Sequence, residues 1–122
     1  MGQPEIQQTK NQVYVGMKFG TWTDKLNEMR DYVDKNGGRV ATRFGESLWY
    51  EILDKNDKPT NGSLFIGRTQ AGAQIIYNSP DGKYQFSGIG DAFTQVRAHG
   101  SDKWIVDLNG NGVVDKNEID VK

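Results

Sequence analysis

The sequence predicts an α+β fold: a mostly antiparallel, curled β-sheet with one packed α-helix and a polar loop at the C-terminus. Two observations carry this. One segment alone repeats its apolar residues at helical spacing between a start and a stop signal. Everything after it alternates apolar and polar residues in short runs, broken by Gly, Pro, Asn and Asp, as strands joined by turns do. Strands that follow one another this closely pair as an antiparallel meander, and a helix laid on one face supplies the second layer.

Taken in order, Val13, Val15, Met17 and Phe19 alternate with Tyr14, Gly16 and Lys18, the period of a half-buried strand ended by Gly20. Thr21 then reads as a helix cap, with Asp24 reaching back to the exposed amides. Trp22, Leu26, Met29 and Val33 follow at helical spacing and leave Lys25, Glu28, Asp31 and Lys35 toward water, so the helix covers residues 22–36. Gly37 and Gly38 supply a left-handed stop.

Beyond the helix, Val40, Thr42 and Phe44 alternate, as do Leu48, Tyr50 and Ile52, with Trp49 in the opposite phase and so facing the other side. Asp54 to Gly62 reads as a polar loop. Strands follow at Leu64 to Ile66, Ile75 to Tyr77, Lys83 to Phe86, Phe93 to Ala98 and Lys103 to Val106. Ser79-Pro80-Asp81-Gly82 and His99-Gly100-Ser101-Asp102 between them suit hairpin turns. The sheet core is expected around Val13, Val15, Phe44, Tyr50 and Ile52.

At 122 residues the chain is one domain, 1–122, with a flexible N-terminus over 1–11, an α+β core over 12–106 and the polar loop over 107–118. Only 35% of the residues are hydrophobic, so three tryptophans, five tyrosines and five phenylalanines must supply much of the core. Fifteen basic and sixteen acidic residues give a net charge of -1 without any block of one sign, which argues against a nucleic-acid partner. No apolar run is long enough for membrane insertion. The absence of cysteine excludes disulfides, thiolate metal sites and thiol catalysis. The opening residues lack the apolar stretch of a signal peptide, so an export leader is expected to lie outside this chain. Met1-Gly2 does not make a myristoylation signal, because Ile6 stands where Ser or Thr is needed.

The stretch with the clearest chemistry is Asp107-Leu108-Asn109-Gly110-Asn111-Gly112-Val113-Val114-Asp115-Lys116-Asn117-Glu118. A hard divalent cation takes six to eight oxygens, and this spacing offers them. Asp107, Asn109 and Asn111 stand at alternate positions, and Gly112 stands where the backbone must turn sharply. Val113 would add its carbonyl, Asp115 would bind directly or through water, and Glu118 would close the cage with both oxygens. These twelve residues resemble the EF-hand calcium loop, in the form found in bacterial extracellular proteins such as dockerin-type repeats. The resemblance covers about a tenth of the chain and implies Ca2+ bound at Asp107, Asn109, Asn111, Val113, Asp115 and Glu118. The chain departs from helix-loop-helix: Trp104-Ile105-Val106 reads as a strand, little follows Glu118, and no second loop is present to pair with. An Asn-Gly hairpin turn is the plainer alternative. Three carboxylates with two neutral amides, beside Lys116, point to the weak end of calcium affinity, roughly micromolar to millimolar. Such a site fills outside a cell, so an extracytoplasmic, secreted or envelope location is expected.

Other constellations do not assemble. Asp54-Lys55-Asn56-Asp57 begins like a second loop but meets Lys58-Pro59 where the glycine belongs. His99 is the single histidine and sits in a turn without triad partners. Gly45-Glu46-Ser47 lacks the second glycine of a nucleophile elbow, and Gly88-Ile89-Gly90 lacks the third of a phosphate loop. Glu46, Glu51 and Asp91 have no spacing that forces any two into a catalytic pair. The function expected is therefore a calcium-binding, non-enzymatic module, with a protein or glycan partner left open. A small carbohydrate-binding domain or enzyme, using the sheet face or the Asp54–Gly62 loop, is the alternative.

Overall fold

A computed structural model describes residues 14–119. The expected N-terminal tail over 1–11 and the core position of Val13 lie outside them. Helix α1 spans Trp22–Asn36. Seven strands follow: β1 Arg39–Phe44, β2 Leu48–Leu53, β3 Pro59–Thr69, β4 Gly72–Asn78, β5 Tyr84–Ile89, β6 Gln95–Ala98 and β7 Ile105–Val106. Helix α2, Lys116–Ile119, is a single turn. The strands pair in sequence order β1-β2-β3-β4-β5-β6-β7, every pair antiparallel, so the α+β meander holds.

The start of α1 is set by a full capping box. The Thr21 hydroxyl accepts the Asp24 N–H at 3.2 Å, and the Asp24 carboxylate accepts the Thr21 N–H at 2.9 Å. At the other end Gly37, at φ 85°, lets its N–H close on the Val33 carbonyl. Gly38, at φ 97°, passes so close to the Leu53 carbonyl that a Cβ would overlap it.

Register explains which side chains make the core. Tyr50 lies opposite Leu64, Leu64 opposite Tyr77, Tyr77 opposite Phe86, Phe86 opposite Val96, and Val96 opposite Ile105. This row crosses six strands on the face that α1 covers, and Leu64, Tyr77 and Val96 are wholly buried. Burial of apolar side chains such as Leu64 and Val96 contributes about 1.5–3 kcal/mol each. Phe19, Leu26 and Met29 close over it from the N-terminal side, and Phe93, Val114 and Ile119 from the C-terminal side. The opposite face carries a second row, with Trp49 against Phe65 and Phe65 against Ile76; Trp49 is 41% exposed and meets the Phe65 ring edge-on at 5.9 Å.

Several expectations are corrected. The strand expected over Val13–Phe19 is not a ladder strand over the described part. Gly16, at φ 82°, breaks the alternation, and only an isolated bridge joins Lys18 to Val113. Val15 is consequently exposed. Phe44 is 84% exposed, because it ends β1, the edge strand, just before the Gly45–Ser47 turn. Of the expected core residues, Ile52 is wholly buried and Tyr50 packs partly against the core. The loop expected over Asp54–Gly62 ends at Lys58, because Asp54 Oδ1 accepts the N–H groups of Asn56 at 2.8 Å and Lys58 at 3.0 Å and ties a tight hairpin. Lys25, expected in water, is buried.

Candidate metal centre

The polar loop leaves β7 at Asp107, whose N–H donates to the Thr94 carbonyl at 2.8 Å. Its side chain turns inward. Asp107 Oδ2 accepts the Gly112 N–H at 2.9 Å, while Asp107 Oδ1 is buried without a hydrogen-bond partner among the described residues. Gly112, at φ 83°, and Gly110, at φ 70°, provide the left-handed turns that fold the loop back.

Two Asx turns set the middle of the loop. Asn109 Oδ1 accepts the Asn111 N–H at 3.1 Å, and Asn111 Oδ1 accepts the Val113 N–H at 3.2 Å. Both amides also donate to Asp115 Oδ2, at 2.7 and 2.9 Å. Glu118, in α2, returns to the loop's beginning. Its two carboxylate oxygens accept the N–H groups of Leu108, at 2.7 Å, and Asp115, at 2.8 Å. Glu118 is buried. Each Glu118 carboxylate oxygen keeps a further lone pair, whereas Asp115 Oδ2 already accepts two hydrogen bonds.

The loop is also clipped to the other end of the chain. The Phe19 N–H donates to the Gly112 carbonyl at 2.9 Å, the Gly16 N–H to the Val114 carbonyl at 2.8 Å, and the Val114 N–H to the Met17 carbonyl at 2.8 Å. Val114 and Ile119 are buried in the core on either side of Asp115 and Glu118.

The fold thus brings Asn109, Asn111 and Asp115 into mutual contact and Glu118 against the backbone of Leu108 and Asp115. Asp107 faces inward through Gly112. The Val113 N–H is used by Asn111, and Val113 forms the bridge to Lys18. Among the described residues no three His, Cys, Asp or Glu side chains converge as a metal-binding group. The three carboxylates of the loop are each held by N–H donors rather than drawn to one point.

The remaining acids and the histidine stand apart. His99 is exposed in the β6–β7 turn, Glu46 lies in the β1–β2 turn, and Asp91 lies between β5 and β6. Glu51 is in β2 and pairs with Arg43 at 3.5 Å. A second polar cluster was not foreseen. Lys25 sits in a cleft between α1 and the β4–β5 turn, with its ammonium 3.0 Å from Glu28 and 4.0 Å from the Phe86 ring centre. The sequence carried a signal for it, since Lys25 lies one turn from Trp22 and Met29 and so on their side of the helix.

No family model matches the chain, and neither a curated protein nor a solved structure matches it.

Proposed function

We propose that the chain is a calcium-binding, non-enzymatic module in which one ion holds the C-terminal loop in place. The observation that carries this reading is Asp107 Oδ1. A buried carboxylate oxygen without a donor is costly, and a hard cation is what satisfies it at the first position of a loop of this spacing. The donor set supports the same chemistry: Asp107, Asp115 and Glu118 supply carboxylates, Asn109 and Asn111 supply amide oxygens, and Val113 supplies a carbonyl. When bound, calcium would offset two of the loop's three carboxylate charges and crosslink its two ends.

The ion's role in this reading is structural. The edge that could brace the loop against a second loop is bonded to Gly16–Phe19 of the same chain. One ion would therefore fasten the segment leading into α1 to the segment leaving β7. Weak affinity suits an extracytoplasmic protein, secreted or attached to a bacterial envelope, where calcium is abundant.

Calcium titration by calorimetry, paired with amide spectra of the 15N-labelled chain, tests this. One-to-one binding is expected, with shifts centred on Asp107–Glu118 and lost in Asp107→Asn. Absence of heat and of shifts in that loop at millimolar calcium sinks the reading.

A further inference from the structure

Burying an ammonium beside an unpartnered phenol is costly, and here both lie at one cleft. The cleft is open to solvent and offers about 610 Å³, within the range of small-molecule sites. Lys25 is 6% exposed and Tyr77 is wholly buried. The Tyr77 hydroxyl has no hydrogen-bond partner among the described residues. Lys25 Nζ has three N–H groups and a single ion pair, to Glu28 at 3.0 Å, and rests 4.0 Å from the Phe86 ring centre and 5.5 Å from that of Tyr77. The innermost groups are therefore unspent donors that call for acceptor oxygens.

The rest of the lining has the opposite character. Glu28, Asp31 and Asp81 offer carboxylates that accept hydrogen bonds, and Tyr32 and Tyr84 offer ring surface. Asp81 is held in place, with its carboxylate accepting from the Ser79 hydroxyl at 2.6 Å and the Lys83 N–H at 2.9 Å. Three lysines, Lys18, Lys25 and Lys35, balance the three carboxylates, so no net charge favours an ionic ligand.

We propose that this cleft binds a neutral polyhydroxylated ring, a pyranoside. Sugar hydroxyls both accept and donate, which matches donors within and carboxylates around. The apolar C–H face of a pyranose suits the tyrosine rings. The cleft shares Met17 and Lys18 with the segment bonded to the polar loop but none of the proposed calcium ligands, and it lies on the α1 side of the sheet, away from Trp49.

The test is an amide and aromatic-ring titration of the full chain with a panel of methyl pyranosides. At least one member is expected to shift Tyr32, Tyr84 and the amides around Lys25, with millimolar affinity. Tyr77→Phe should weaken that binding about tenfold while leaving the ligand-free melting temperature unchanged or higher, since the hydroxyl has no bond to lose. Glu28→Gln should weaken it as well, and Trp49→Ala should not. The proposal is overturned if no pyranoside perturbs the cleft, if the shifts map to the Trp49 face, or if inorganic phosphate binds there more tightly than any sugar. It is equally overturned if Tyr77→Phe lowers the melting temperature and leaves binding intact.

Discussion

Glu118 is a side chain that serves the fold and, in the proposed reading, would also serve an ion. Its carboxylate accepts the N–H groups of Leu108 and Asp115 while buried, and so holds the start of the loop to its end. Glu118→Gln puts an NH2 group against one of those donors and leaves it unsatisfied, at a cost of about 1–3 kcal/mol. Chemical denaturation in chelator is expected to show that loss, and calorimetry a strong fall in calcium affinity. Lys116→Gln, at an exposed position, should bind calcium equally or slightly tighter. Unchanged affinity in Glu118→Gln would mean that the coordination is of another type. Gly38 makes a separate case. Gly38→Ala drives a Cβ into the Leu53 carbonyl at a positive φ, and overpacking of this kind costs about 1–3 kcal/mol. A denaturation midpoint equal to that of the parent would show the backbone there to be free to shift.

Among the elements, α1 was the most legible, because its ends are written in local chemistry. Thr21, Asp24 and Gly37 act within a few residues of themselves, so no tertiary knowledge was needed to place them. Asp24 also predicts a pH dependence. Its carboxyl is held below the usual carboxylate range, chiefly by the Thr21 N–H and then by the Thr21 hydroxyl. A carboxyl depressed in the folded state adds stability above its unfolded pKa and loses it as pH falls through the folded one. Asp24→Asn should therefore be less stable than the parent at neutral pH, with the gap closing below about pH 4. A gap that persists in acid would assign the cap to shape rather than charge. The strands were legible as alternation, and their order followed from short turns. What alternation could not say is where cover ends. Phe44 has the phase of a core residue but ends an edge strand, and Lys25 sits on a polar-looking stripe that α1 presses onto Phe86. The loop's spacing was legible too, although its bond to Gly16–Phe19 was not, since nearly the whole chain separates the two.

For the molecule as a whole, that bond decides what calcium, bound as proposed, should do. An ion that binds the native state and not the unfolded chain stabilises it by mass action, by about 2.7 kcal/mol at a hundred times the dissociation constant. For a domain of this size that is on the order of ten degrees in melting temperature. The row from Tyr50 to Val96 lies in β2 to β6, strands that supply none of the loop's proposed ligands, so the sheet and α1 should stay folded in chelator. The reading of the sequence alone would confine the disturbance to Asp107 onward. The hydrogen bonds of Gly16, Phe19 and Val114 carry it further, because the loop and the segment before α1 brace each other. Native-state hydrogen exchange separates the two outcomes. With calcium, the amides of Gly16, Phe19, Gly112 and Val114 are expected to slow together, while those of β3 and β4 keep the protection they have without it. Slowing within residues 107–118 alone would show the clip to be indifferent to the ion. Loss of protection throughout the sheet on chelation would show the opposite, that the loop is a condition of folding and not a fastening on a fold already made.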